Sequence, residues 1–210
     1  MCLLQNTSKI ALLVSMSKAS RKFRVPDPLA DLYDFANTLD LRSFQHRGVR
    51  MQPSDEIESP PALGTWLIDH RLAKPGAMMQ PEHLERAHAL RTQIRALLEK
   101  EPAARRTDRA AIAGFNAIAQ SFPLVVQLGG PETAALATVR ADALSGLSVV
   151  VSQLYDGARN GTLDRLKMCD AAECKRVFYD RSKPGTRRWC QSTMCGNRMK
   201  TRAYRERQRA

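Results

Sequence analysis

Apolar residues return along most of this chain at the three- and four-residue spacing of a helix with one buried face. Asp27-Pro28, a carboxylate N-cap with proline at the first helical position, precedes Leu29, Leu32, Ala36 and Leu39 and predicts a helix to about Leu41. Residues 45–58 are polar, carry Gly48 and Pro53, and read as a loop. Ser59-Pro60 starts a second helix with Leu63, Trp66 and Leu67 on its apolar face, ended by Pro75-Gly76. Gln80-Pro81 opens a third, with Leu84, Ala87, Leu90, Ile94 and Leu97 in one stripe that stops before Pro102. Asp108 caps a fourth, carrying Ile112, Phe115 and Ile118 as far as Pro123. The period then shortens: residues 122–128 and 133–139 flank Gly129-Gly130-Pro131 and predict a short hairpin. Helical spacing resumes from Ala141 through Leu144, Leu147, Val151, Leu154 and Ala158, before an Asn160-Gly161 turn. No internal repeat or low-complexity tract interrupts this order. The expected fold is mainly α: a helical N-terminal domain with a small β-hairpin.

The first 25 residues do not fit that pattern. A short apolar run, Ile10 to Val14, meets a basic cluster of Lys18, Arg21, Lys22 and Arg24. Two readings stand: a disordered extension over 1–26, or translation starting at Met16; a basic arm on a phosphate backbone is a further use for it. The run is too short for a secretory leader. The chain has 210 residues, 43% hydrophobic, enough to bury a core, and no apolar stretch of membrane-spanning length. These features exclude a disordered chain and an integral helical membrane protein, and predict a cytoplasmic location with reduced thiols.

Charge sharpens the picture. The net charge is +12, and the last 46 residues hold 14 Lys and Arg against 4 Asp and Glu, or +10 of that total. A near-neutral body with one basic device points to a polyanionic partner. Four of the five cysteines lie in the same segment: Cys169 and Cys174, then Cys190 and Cys195 after fifteen residues. Two short pairs at this distance form the pattern of a structural zinc site, each knuckle turning two thiolates to one side. Between them Val177-Phe178-Tyr179 and Arg187-Arg188-Trp189 predict the two arms of a hairpin, turning through Ser182 to Gly185. Two disulfides or four free thiols are the other readings. With all four positions filled by protein, one Zn²⁺ would be structural, with no open position for catalysis. The metal would also supply folding energy that about 45 polar residues lack.

After Gly196 no breaker appears, and a terminal helix is predicted. Arg198, Arg202, Arg205 and Arg209 fall on one face of it, a row of guanidinium groups spaced for phosphates or a guanine edge. The candidate nucleic-acid contacts are Arg187, Arg188, Arg198, Lys200, Arg202 and Arg205, with Lys175 and Arg176 nearby. Phe178 and Trp189 read as a small core beneath them.

The stretch C-x4-C-x3-F-x-D-x-S-x4-RRWC-x4-CGNR-x-K resembles the CGNR zinc-finger family, named for the tetrapeptide that is Cys195, Gly196, Asn197 and Arg198 here. Asp180, Ser182, Arg187, Arg188, Trp189, Cys190 and Lys200 also sit at the family's positions. Upstream, LYDFANTLDLR (Leu32 to Arg42) and Leu63-x2-Trp66-Leu67 resemble the ABATE domain that usually precedes this finger, whose family description is stress-induced transcription regulation. The resemblance spans residues 27–207 and implies a division into a helical domain at 27–164 and a finger at 165–210, with DNA as partner.

The remaining chemistry is sparse. His46, His70, His83 and His88 lack metal spacing and read as surface residues. Asp31 with Asp34, and Glu82 with Glu85, sit near helix N-termini, where the helix dipole accounts for them. No nucleophile elbow, P-loop or dinucleotide motif is present, which argues against an enzyme. Asn37 and Thr38 end an apolar stripe; they read as partners of a neighbouring loop, or as the lining of an effector pocket. The function expected is a zinc-dependent DNA-binding regulator with the helical body as sensor. The alternatives are an RNA- or protein-binding module, and a finger that senses oxidation by releasing zinc.

Overall fold

Proline sets where the helices begin. Pro28, Pro60, Pro81 and Pro102 each occupy the first turn of a helical element, where a missing N–H costs nothing. The computed structural model describes residues 19–130 and 133–209. The readings placed on Ile10 to Val14, Met16 and Lys18, and Pro131 of the hairpin turn, lie outside the described residues. A short α1 (Ala19–Lys22) leads to a 3₁₀ turn at Asp27–Leu29 and α2 (Ala30–Ala36). Then come α3 (Pro60–Asp69), α4 (Pro81–Glu99), α5 (Pro102–Arg105), α6 (Arg109–Ala119) and α7 (Leu147–Asn160). Ser59 accepts the N–H of Ala62 at 3.3 Å, and Asp108 that of Ala111 at 3.0 Å, two of the N-caps the sequence indicates.

The ends of helices differ from the periodic reading. α2 stops at Ala36, not near Leu41, because three side chains take its last carbonyls. Asn37 Nδ2 donates to Tyr33 O, Thr38 Oγ1 to Phe35 O, and Arg95, reaching from α4, to Ala36 O at 2.7 Å. Asp27 makes no N-cap hydrogen bond; Pro26 holds that position. α3 ends at Asp69, before Pro75-Gly76. α7 begins at Leu147, not Ala141, since Asp142 pairs with Arg140 and accepts the N–H of Leu144, closing a separate turn. Gly161, at φ 77°, closes α7 in the left-handed conformation that glycine tolerates.

The predicted loop at 45–58 is built from paired short strands. β1 (Leu39–Asp40) pairs with β4 (Ser54–Asp55), and β2 (Gln45–His46) with β3 (Val49–Arg50). Arg47 and Gly48 both have positive φ (50° and 80°), as a two-residue hairpin turn requires. The hairpin expected around residue 130 is present as β5 (Leu124–Gly130) against β6 (Thr133–Thr138), with Val126 and Leu128 about 70% exposed.

α4 is the axis of the body. Ala87, Leu90, Ile94, Leu97 and Leu98 enter a core shared with Leu32, Phe35, Leu63, Leu67, Leu147 and Val150. Arg91 and Arg95 are buried on the same helix: Arg91 grips Asp55 with two 2.6 Å bonds and Thr38 Oγ1 at 2.9 Å. The core continues into β7 (Leu166–Met168) and β8 (Val177–Tyr179), whose Leu166, Met168 and Val177 are buried in it. β8 pairs with β7, in register Met168↔Val177, and not with residues 187–189 as the sequence suggests. Among the described residues no helix is long and apolar enough to cross a membrane.

Candidate metal centre and basic helix

A second, small core lies beyond β7 and β8. Cys169, Cys174, Cys195, Ala171, Phe178 and Phe44 are buried together, with Met51, Trp189, Cys190, Met194 and Met199 packed against them. The first knuckle closes when Cys169 N–H reaches Arg176 O at 2.9 Å and Cys174 N–H reaches Ala171 O at 2.8 Å. Lys175, at φ 50°, turns the chain out of it. The second knuckle is a single π-turn, Ser192–Gly196, which leads directly into α8 (Asn197–Arg207). Between the knuckles the chain folds around buried Asp180. Its carboxylate accepts the N–H and hydroxyl of Ser182 and the N–H of Arg187, at 2.7–2.9 Å. The return is fixed by Asp170 N–H on Arg188 O at 3.0 Å.

The four Sγ atoms lie within 4.8 Å of one another, and those of Cys174–Cys190 and Cys190–Cys195 are 3.7 Å apart. A zinc tetrahedron with bonds of about 2.3 Å has edges of about 3.8 Å. A disulfide needs about 2.05 Å, so the paired-disulfide reading fails. Electrostatics give the same answer. The hydrogen bond from Cys174, with those from Cys190 and Cys195, pushes the Cys169 thiol far below its ordinary range. Cys174 is raised by its bond to Cys169 but lowered more by Cys190 and Cys195. Cys190 and Cys195 are driven well up, first by their bonds to Cys169. Four thiolates cannot ionise together at this spacing without a cation, and one structural Zn²⁺ supplies it.

The candidate nucleic-acid residues fall into two groups. Arg187 is half-buried; its guanidinium donates to Cys190 O at 2.6 Å and lies over the Phe178 ring at 5.4 Å. Arg198 is half-buried too, 3.8 Å from the Phe44 ring centroid and 3.3 Å from Glu173. Arg188 is exposed and pairs with Asp170 at 2.6 Å. Arg202 is exposed and shared between Glu173 (3.5 Å) and Glu206 (3.2 Å). Lys200 and Arg205 are exposed, and every residue from Thr201 to Arg209 is open to solvent. Sequence reasoning missed Phe44, Met51 and Glu173, which seat the finger against the body. A lone aromatic in a polar loop and one acid in a basic segment were the only signals.

Elsewhere, His70 and His88 are not simple surface residues. His70 stacks on Trp66 and bonds Trp66 O at 2.9 Å, and His88 bonds Ile57 O at 2.8 Å. Asp34 serves no dipole of its own helix: it is buried, accepting the N–H and hydroxyl of Ser20. Asn37 bonds a strand and not the loop expected, donating to Val177 O of β8 at 3.1 Å and accepting Val177 N–H at 3.0 Å.

Two family models match. That of the CGNR zinc finger covers residues 165–208, and that of the ABATE family, described as "Putative stress-induced transcription regulator", covers residues 32–158. No curated protein matches the chain. The second model takes in more than half of the sequence, and the first contains all four clustered thiols. The chain belongs to the ABATE family and carries a CGNR zinc finger at its C-terminal end.

Proposed function

We propose that this protein is a zinc-dependent DNA-binding regulator of transcription, cytoplasmic and without catalytic activity, in which residues 165–210 contact DNA and the helical part senses a signal. One observation carries the reading: α8 springs from the last zinc ligand and then stands in solvent with Lys200, Arg202, Arg205 and Arg207 on it. A metal-anchored cationic helix can enter a groove at little ordering cost, and guanidinium groups match phosphate and guanine geometry. Arg187, Arg188, Arg198, Lys200, Arg202 and Arg205 are the contacts proposed, with Arg187 and Arg198 also holding the finger's own frame. Of the four aromatics that could stack on RNA bases, Phe178 is buried and Tyr179 and Trp189 are half-buried, which favours DNA, while Tyr204 on α8 is exposed.

The test is anisotropy of zinc-loaded protein on a random-sequence duplex across a salt series. Affinity should fall linearly on logarithmic axes, by roughly 0.9 per phosphate neutralised. A flat response, or no binding at low salt, rejects the proposal. Selection of bound sequences from random DNA then reads specificity; enrichment that survives Arg198→Ala with Arg202→Ala removes α8 from the role.

A further inference from the structure

A cleft of about 540 Å³ is lined by both the helical body and the finger, and no residue of α8 lines it. Its size is that of a small-molecule site. Five cations face it: Lys22 and Arg42 from the body, and Arg176, Arg181 and Arg187 from the finger. Asp40 clamps Arg42 through both carboxylate oxygens and lies 4.0 Å from Arg176. Cys174 and Cys190 also line the cleft, and with Zn²⁺ bound the tetrathiolate would add two negative charges. The cations still outnumber these charges. Lys22, Arg181 and Arg187 have no carboxylate partner among the described residues. Two guanidinium groups are held against rings, Arg176 over Phe23 at 5.3 Å and Arg187 over Phe178 at 5.4 Å. Phe23, Tyr179 and Met194, all half-buried, supply apolar wall between the charges.

We propose that this cleft binds a small organic anion, a carboxylate or phosphate group carried on an apolar ring. The arginines take the charged group in bidentate fashion, and the aromatic wall takes the ring. Because Arg187 also holds the carbonyl of Cys190, the bound anion braces the second knuckle and steadies the metal. This coupling rests on the zinc reading; the binding itself does not depend on DNA.

The experiment is calorimetric titration of the zinc-loaded full chain with 2-naphthoate, beside the neutral 2-naphthylmethanol and inorganic phosphate. Saturable binding of one naphthoate per chain is expected, at least about tenfold tighter than either comparison compound. Arg176→Gln should weaken it about tenfold with zinc content unchanged, and Arg187→Gln about tenfold with the second knuckle loosened. Should either lose zinc, Lys22→Ala combined with Arg181→Ala tests the same charged wall at exposed positions, with about threefold weakening expected. Saturating naphthoate should slow zinc loss to a chelator severalfold. No saturable binding, equal affinity for the neutral alcohol, or unchanged binding in both sets of variants overturns the site. An unchanged chelation rate overturns its link to the finger. Either result leaves DNA binding to be judged by its own salt titration.

Discussion

Asn37 bonds both the N–H and the carbonyl of Val177, so one amide stands in for a strand neighbour where body meets finger. Asn37→Ala leaves both buried groups unpaired and should cost about 2–4 kcal/mol, read as a lowered denaturant midpoint. Its polar character at the end of an apolar stripe was legible, and a loop partner was the natural reading. The partner's identity was not, because it lies 140 positions along the chain. Arg91 and Asp55 are a second such pair. Burial pushes the Asp55 carboxyl up, but hydrogen bonds from Arg91 and the Ile57 N–H, with the charges of Arg91 and His88, hold it below the ordinary range. A carboxyl depressed by folding contributes stability above its unfolded value near about 4, and that share is lost as pH falls through the lower folded value. Asp55→Ala strands the buried Arg91 and should cost about 3 kcal/mol at neutral pH. The gap between variant and parent should close below about pH 4 in urea melts; a gap constant with pH would refute the pairing.

At the scale of elements, most helix starts were readable, that of α7 excepted, and the stop of α2 was not. N-terminal signals are local, a proline and a capping oxygen within four residues. The end of α2 is decided in part by Arg95 on α4, a helix that periodicity treats separately. The strands hidden in residues 45–58 escaped notice because their turn is Arg47-Gly48, outside the usual asparagine-glycine signature. The arms of the finger failed for a related reason: Val177–Tyr179 had a better partner upstream, in Leu166–Met168, than the cationic run ahead of it. Close packing makes a sharper prediction at Gly146. A Cβ there would lie 1.9 Å from Leu72 O, so Gly146→Ala must part α7 from the segment after α3. A loss of about 3 kcal/mol is expected in thermal melts. Chelation should act unevenly along the finger. Hydrogen exchange should rise over the second knuckle and α8, while amides of β7 and β8 stay protected by the body's core.

Over the whole molecule, charge and thiols were the most legible features, since neither depends on knowing the fold. The spacing of four cysteines placed the thiol cluster correctly, and the last 46 residues' charge, +10 of +12, lies in the same segment. What they could not convey is how much of that charge is answered inside the protein, as Glu173 answers Arg198 and Arg202. For the proposed DNA binding, the salt slope should separate, among the described residues, answered cations from free ones. Lys200→Ala and Arg205→Ala should each lower it by roughly 1, whereas Arg188→Ala, whose partner Asp170 is freed, should lower it less. The shared core has a further consequence, for anyone who would use this finger elsewhere. Residues 165–209 cut free and fused to a foreign carrier would bring Leu166, Met168 and Val177 as a raw apolar flank, without the α4 that now packs on β7 and the Asn37 that clasps β8. Unlike a bead on a string, this module is not portable, and a transplant should begin with the strands recut for water.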